Sequence, residues 1–403
     1  MGGRLMFFLA AFDPVAIARS VFPFVGLLVA LVVIHEFGHL LAAKALGVKV
    51  LEFGIGFPPR VKGLVWRKGE TEYTINWLPI GGFCRMLGEE DPTDPRSLAA
   101  APRWKRLTVL FAGVFMNLVL AVFLFSVGFM VPRTRDLSMA QVTDVASGSP
   151  AAQASITGTM RDGNQPAQGL QAGDLVLNVE GRDIKNTSEL VYANRLNLGK
   201  TQTWIISRGG STLTAEVYAR WHPPADQGPT GVRVGPPSIC SGVDANGNPT
   251  GCQLRYPFTE SVWYMPWQAV PKGIGELVDT VILSKNEIQV RIGGGGGAAT
   301  AGDGPAFTGP VGIATTTGDL IHQDGWRPLI EFAALLSLNL GIFNVLPLPM
   351  LDGGRIFFVL IEIVRGGRRI SPEKEAMVHL TGFALLMASV LVVTYFDIAR
   401  LVS

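Results

Sequence analysis

The residues with the clearest chemical potential are His35, Glu36 and His39, in the stretch Ile34-His35-Glu36-Phe37-Gly38-His39-Leu40. On a helix, positions four apart lie one turn apart on one face. Two imidazoles can then reach a single Zn²⁺ while Glu36 stands beside them to take a proton from water. That is the layout of a hydrolytic zinc centre. The pentad is short enough to arise by chance, and paired helical histidines are often surface decoration. Its surroundings argue otherwise, because it lies in an apolar run from about Val21 to Gly47. Three ionisable side chains within a membrane-crossing length cost several kcal/mol unless they face a cavity, pair or bind metal.

Two histidines need a third protein ligand that leaves one position open. His222 and His322 fall in the outer region defined below, and His379 opens the last apolar segment, where it reads as a helix-end or interfacial residue. The better candidate is Asp352, in Asn344-Val345-Leu346-Pro347-Leu348-Pro349-Met350-Leu351-Asp352-Gly353-Gly354-Arg355. Two prolines two apart cannot continue an α-helix, so an apolar segment must open there and expose backbone. A carboxylate beside unwound backbone in apolar surroundings is expensive unless it serves a site.

These groups must be positioned by a membrane scaffold. The chain has 403 residues, 48% hydrophobic and 16% charged, whereas soluble domains carry about 25% charge. The net charge of +2 is too small to suggest a nucleic-acid partner. Segments of spanning length run from about Val21 to Gly47, Leu107 to Val131, Leu329 to Leu346 and Met377 to Tyr395. Lys and Arg crowd the loop from Lys49 to Arg106, and Arg365, Arg368, Arg369 and Lys374 crowd the last link. The positive-inside bias places both in the cytoplasm and the long 132–328 stretch outside. Met1 to Ser20 shows no small-residue cleavage site and reads as retained.

The expected order is an N-terminal interfacial or re-entrant segment (1–20) and a first span with the pentad (21–47). A cytoplasmic or re-entrant β-hairpin region (48–106) and a second span (107–131) follow. Outside the membrane come an α/β domain (132–222), a Pro/Gly-rich loop (223–257), an amphipathic membrane-surface segment (258–292) and a Gly-rich hinge and linker (293–328). A third span with the Asp352 motif (329–364), a cytoplasmic link (365–376) and a fourth span with the C-terminus (377–403) complete the chain. The hairpin rests on two β-like runs, Val50 to Phe57 and Glu72 to Gly82. Its edge could pair with an extended substrate. In the outer domain, strands are expected around Val142, Leu175–Val179, Trp204–Ser207 and Leu213–Tyr218, with a helix from Ser188 to Leu196. Cys240 and Cys252 sit within the Pro/Gly-rich loop, where a disulfide is chemically reasonable; Asp244, Asn246 and Asn248 read as a turn.

The constellation resembles the bacterial site-2 proteases, zinc intramembrane metalloproteases, in their PDZ-bearing, regulator-of-sigma-E-protease-like branch. His35-Glu36-Phe37-Gly38-His39 matches the family's zinc motif, and Asn344-x-x-Pro347-x-Pro349-x-Leu351-Asp352-Gly353 matches its second motif. Phe111-x-Gly113-x-x-x-Asn117 is similar to its middle-span motif, and Gly169 to Leu177 looks like the centre of a protease-type PDZ domain. The resemblance implies Zn²⁺ held by His35, His39 and Asp352, with Glu36 as general base. It implies substrate binding at Asn344, Pro347, Pro349, Asn117, Gly54 and Gly56. The implied fold is a polytopic α-helical membrane protein of about four spans with a membrane-associated β-hairpin, plus an extracytoplasmic α/β PDZ-like domain. The implied location is the bacterial cytoplasmic membrane, with both motifs toward the cytoplasmic side. The implied partners are the lipid bilayer, a transmembrane protein already cut by another protease (an anti-sigma factor or remnant signal peptide), and a peptide C-terminus at the PDZ-like domain.

Two other classes compete. A zinc transporter would also place polar residues in spans, but leaves Glu36 between the histidines and the PDZ-like domain unexplained. A catalytically inactive PDZ-bearing adaptor is the alternative, and Glu36→Gln would leave its function intact.

Overall fold

The computed structural model describes residues 14–89, 91–224, 226–239, 242–243, 249–250, 253–256, 258–292, 309–323 and 326–402. Cys240, Cys252, the Asp244 turn and the glycine-rich run from Gly293 lie outside these residues. In chain order the main elements are α1 (Pro14–Ala45), β1 (Val50–Lys68), β2 (Thr71–Met86), α2 (Arg103–Met130), β3 (Arg133–Asp136), β4 (Ala140–Val145), β5 (Ser155–Thr157), β6 (Leu175–Val179) and β7 (Arg182–Asp183). They continue with α3 (Thr187–Leu196), β8 (Thr201–Arg208), β9 (Ser211–Tyr218), β10 (Val232–Gly235), β11 (Thr259–Val262), α4 (Pro266–Ile292), α5 (Pro310–Gln323), α6 (Trp326–Val345), α7 (Asp352–Val364) and α8 (Pro372–Val402). Two short two-stranded ladders lie between β10 and β11.

Stretches of α1, α2, α6 and α8 are long and apolar enough to cross a membrane: Val21–Ala45, Arg103–Met130, Pro328–Val345 and Glu373–Ala399. The protein is a polytopic membrane protein. Chain contacts divide it into two compact units, the first comprising Met1–Phe129, Pro266–Leu277 and Ala306–Ser403. In this unit α1 is described from Pro14 onward, so helix already covers the last part of the segment expected to be interfacial. β1 and β2 form an antiparallel hairpin from Val50↔Met86 to Lys68↔Thr71. Its base is buried with α1 and α2 through Leu40, Val50, Phe53, Met86 and Val109. Gly81 and Gly82 of β2 rest on Val32 and Val33 of α1, the turn just before His35. Farther along α2, Ala121 and Phe125 pack on Ala334 and Leu338 of α6, and Ser337 Oγ donates to the Asn117 carbonyl (2.9 Å).

The second unit comprises Met130–Met265 and Val278–Pro305. Its sheet has the order β10-β4-β6-β8-β9-β5, with β7 pairing to β6. The core is a cluster of fully buried side chains including Val142, Val176, Leu190, Trp204 and Ile206. α3 begins as its sequence dictates: Asn186 accepts from Glu189 N at 2.9 Å, and Glu189 reaches back to Lys185 N at 2.9 Å. Two expectations change here. The Pro/Gly-rich stretch 223–257 was expected as a loop, yet Val232–Gly235 is an edge strand pairing antiparallel with β4. The 258–292 segment was expected as amphipathic surface helix, yet it opens with β11, which pairs with β3. Four-residue strands are fixed by a distant partner and leave almost no local periodicity to read.

Candidate metal centre

Helical spacing puts His35 and His39 on one face of α1, and Asp352 meets them as the first residue of α7. The turn between α6 and α7 exists because Pro347 and Pro349 lack backbone N–H groups. Gly353 and Gly354 let α7 fold back onto it, since a β-carbon at either would collide with the carbonyl oxygens of Leu346 and Leu348 respectively. A first-turn carboxylate is also favoured by the helix dipole.

The three donor atoms converge. His35 Nε2 lies 2.9 Å from Asp352 Oδ2, His39 Nε2 lies 3.1 Å from the same oxygen, and the two Nε2 atoms are 3.2 Å apart. Ligand atoms about 2.0–2.2 Å from a tetrahedral zinc stand roughly 3.3 Å from one another. The triangle has the size of one face of such a site, and two imidazoles with one carboxylate are a donor set that zinc takes with an open fourth position. Among the described residues this is the only group of three or more His, Cys, Asp or Glu side chains with that convergence. The histidines are 5% and 4% exposed, so the donors are screened from water on the protein side.

The two imidazoles are held from behind. His39 Nδ1 donates to the Val109 carbonyl of α2 at 2.8 Å, which puts the ring proton on Nδ1 and leaves Nε2 as the free lone pair. Asn117 of α2 faces His35 Nδ1 at 3.1 Å. With its Nδ2 toward that nitrogen, the buried Asn117 Oδ1 has no hydrogen-bond partner among the described residues. Rotating the amide lets Oδ1 accept from an Nδ1–H, the tautomer His35 needs when Nε2 is a ligand. This orphaned oxygen is a second sign that the centre is built for a metal.

Glycines make the assembly possible. A β-carbon at Gly113 would collide with His39 Nε2 and the His35 ring, and one at Gly38 would collide with the Ala112 carbonyl. Glu36 lines an open cleft with His39, Asp352 and Arg355 on one side and Phe83 to Met86 of β2 on another. The Cys84 backbone amide faces the Glu36 carboxylate. Glu89, just beyond β2, pairs with Arg355 of α7.

The structure thus brings His35, Glu36, His39 and Asp352 together, but not the residues expected to touch substrate. Asn117 is fully buried, so it backs His35 where substrate contact was expected. Gly54 and Gly56 are buried in β1: the Phe83 ring fills the space beside Gly54, and the Leu78 carbonyl the space beside Gly56. Their small size serves the hairpin. Asn344 is 8% exposed and donates back to the Leu340 carbonyl at 2.9 Å; among the described residues no hydrogen bond joins it to the three donors. Pro347 is exposed and Pro349 half-buried in the turn before Asp352. Sequence reasoning missed His379 as a partner of this turn: its Nδ1 accepts from Met350 N at 2.9 Å. An ionisable residue within an apolar segment was the available signal.

The chain matches the model of peptidase family M50 over residues 23–389. A putative zinc metalloprotease of Clostridium perfringens is 32% identical over 374 residues, covering 92% of this chain and 95% of the relative. One of Clostridium acetobutylicum is 29% identical over 372 residues, covering 91% and 94%. The regulator of sigma-W protease RasP of Bacillus subtilis is 28% identical over 466 aligned positions, covering 95% of this chain and 99% of the relative. A match that runs from the first span to the last, around a His₂-carboxylate centre, leaves one conclusion: the chain belongs to peptidase family M50 and is a zinc metalloprotease of the site-2 type.

Proposed function

We propose that His35, His39 and Asp352 hold the zinc, that Glu36 is the general base, and that the substrate is a membrane-spanning segment of another protein. The observation that carries this reading is the convergence of the three donor atoms, 2.9–3.2 Å apart, with Glu36 lining the same cleft within an apolar span. Zinc bound there supplies a Lewis acid that acidifies a water and polarises a peptide carbonyl. Glu36 takes the proton of the attacking water and returns it to the leaving amine. His39 and His35 keep their orientation through Val109 and Asn117, so little reorganisation is left for the reaction itself.

A substrate helix hides its carbonyls in its own hydrogen bonds and must open before attack. The stretch Phe83–Met86, alongside Glu36, is where an extended segment would be held as an added strand. The family resemblance points to a membrane-bound anti-sigma factor, trimmed beforehand by another protease, as the substrate class, and the B. subtilis relative is named a regulator of sigma-W protease, which fits it; remnant signal peptides are the second class. The basic loops support a reading in which the catalytic motifs lie toward the cytoplasmic face of the cytoplasmic membrane and the second unit lies outside. That unit is read as PDZ-like: β10 is an edge strand, and Val191, Arg195, Val232 and Val234 line a cavity suited to a peptide C-terminus.

The test is cleavage of single-span membrane proteins in liposomes by wild type and Glu36→Gln, with products mapped by mass spectrometry. The reading requires cuts within the span by wild type and none by the variant. Cuts only in extramembrane segments, or equal cutting by both, would overturn it.

A further inference from the structure

The last span, α8, carries a seat for the turn that delivers Asp352. Met350, two residues before Asp352, has a positive φ of 73°, a conformation that non-glycine residues adopt at a cost and only where surrounding structure holds them. What holds it is visible. The Met350 N–H leaves the turn and donates to His379 Nδ1 at 2.9 Å. His379 is 7% exposed, and its ring lies 5.5 Å from that of Phe358 on α7, so one imidazole touches the chain on both sides of Asp352. Three residues further along α8, on the same helical face, Gly382 receives the Pro349 ring, whose carbons take the space that a β-carbon at 382 would need. Two adjacent residues of the turn, Pro349 and Met350, are thus each fixed by a separate feature of α8.

We propose that His379 and Gly382 position Asp352 for metal binding: His379 by accepting the Met350 N–H, Gly382 by admitting Pro349. His379 is here a positioning residue, remote from substrate and metal. The inference rests on the proposed role of Asp352 as a ligand. Its physical basis is that Asp352 Oδ2 must stay within about 3 Å of both Nε2 atoms, while the two prolines before it leave the turn few hydrogen bonds of its own. Groups that orient a metal ligand from behind are worth about 10–100-fold in metal affinity.

The experiment measures cobalt(II) affinity and the visible absorption of the cobalt-loaded full-length protein in detergent. The variants are His379→Ala, His379→Asn, Gly382→Ala and Asp352→Asn, with thermal unfolding of each metal-free form as the folding control. An asparagine side-chain oxygen can occupy the place of Nδ1 and accept the same N–H. The expected result is an affinity loss of about tenfold or more in His379→Ala and Gly382→Ala with an altered spectrum, and recovery toward wild type in His379→Asn. If His379→Ala does not fold, Gly382→Ala and His379→Asn carry the test. Wild-type binding by Gly382→Ala and His379→Ala, with loss only in Asp352→Asn, would overturn the seat and leave the ligand reading standing. His379→Asn failing as badly as His379→Ala would overturn the acceptor role. Undiminished cobalt binding by Asp352→Asn would overturn the ligand reading itself.

Discussion

Gly113 of α2 and His39 of α1 stand so close that a single added methyl group would collide with His39 Nε2. Two spans are thus packed around the metal donors, and the space that the imidazoles fill is created by a missing side chain. Gly113→Ala should reduce zinc affinity about tenfold or more by displacing the rings, within the range for substitutions behind metal ligands. Competition with a fluorescent chelator measures it, and wild-type affinity would show that α2 yields easily.

Asn117 separates two tautomers of His35. If Nε2 is the ligand, Asn117 must accept from Nδ1–H, so Asn117→Ala should lose about 10–100-fold in zinc affinity. Asn117→Asp, which can only accept, should bind more tightly than Asn117→Ala. The reverse order would mean that Asn117 donates to His35.

How much of this was legible in the sequence follows from the range of each signal. His35, Glu36 and His39 are encoded within one helical turn, and Asp352 is marked by the prolines that break its span. Asn117 could be recognised as polar within a span, but its partner His35 is 82 positions away, so substrate contact was the expected role. Gly54 and Gly56 look like openings in a strand until Phe83 and Leu78 of the facing strand are seen filling them. His379 and Gly382 repeat at helical spacing like many other pairs, and only the fold shows the turn they hold. The β10 strand is specified by pairing with β4 across a long loop, which composition cannot register.

The second unit contains a buried ion pair with no part in the metal centre. Arg208 donates from Nε and from a terminal guanidinium nitrogen to the two oxygens of Asp174, each at 2.7 Å; their side chains are 10% and 1% exposed. Removing one member strands a buried charge, so Arg208→Ala should destabilise this sheet by about 3–5 kcal/mol. Hydrogen exchange on the intact protein should show faster exchange in β6 and β8 with unchanged zinc content. Loss of zinc as well would show that the metal centre depends on this unit.

Glu362 of α7 accepts from Arg103 (3.2 Å) and Arg106 (2.6 Å) at the start of α2, and lies 3.5 Å from Arg369. This ties the far end of the helix that carries Asp352 to the second span. Glu362→Ala should lower stability by about 3 kcal/mol, reduced from the fully buried case because Arg103 is partly exposed. Thermal unfolding in detergent reads it, and Glu362→Gln, which can still accept hydrogen bonds, should fall between the two.

In the proposed centre, two spans and a turn meet at one zinc ion held by His35, His39 and Asp352, whose ligand atoms all lie within 4.8 Å of one another. Zinc content and zinc-edge X-ray absorption of the purified protein test it most directly. Such a centre predicts one equivalent of zinc with two imidazole nitrogens and oxygen ligands only. It also predicts loss of that zinc in His35→Ala, His39→Ala and Asp352→Ala, and its retention in Glu36→Gln. A sulfur ligand from buried Cys84, or full zinc content in any of the three alanine variants, would contradict it.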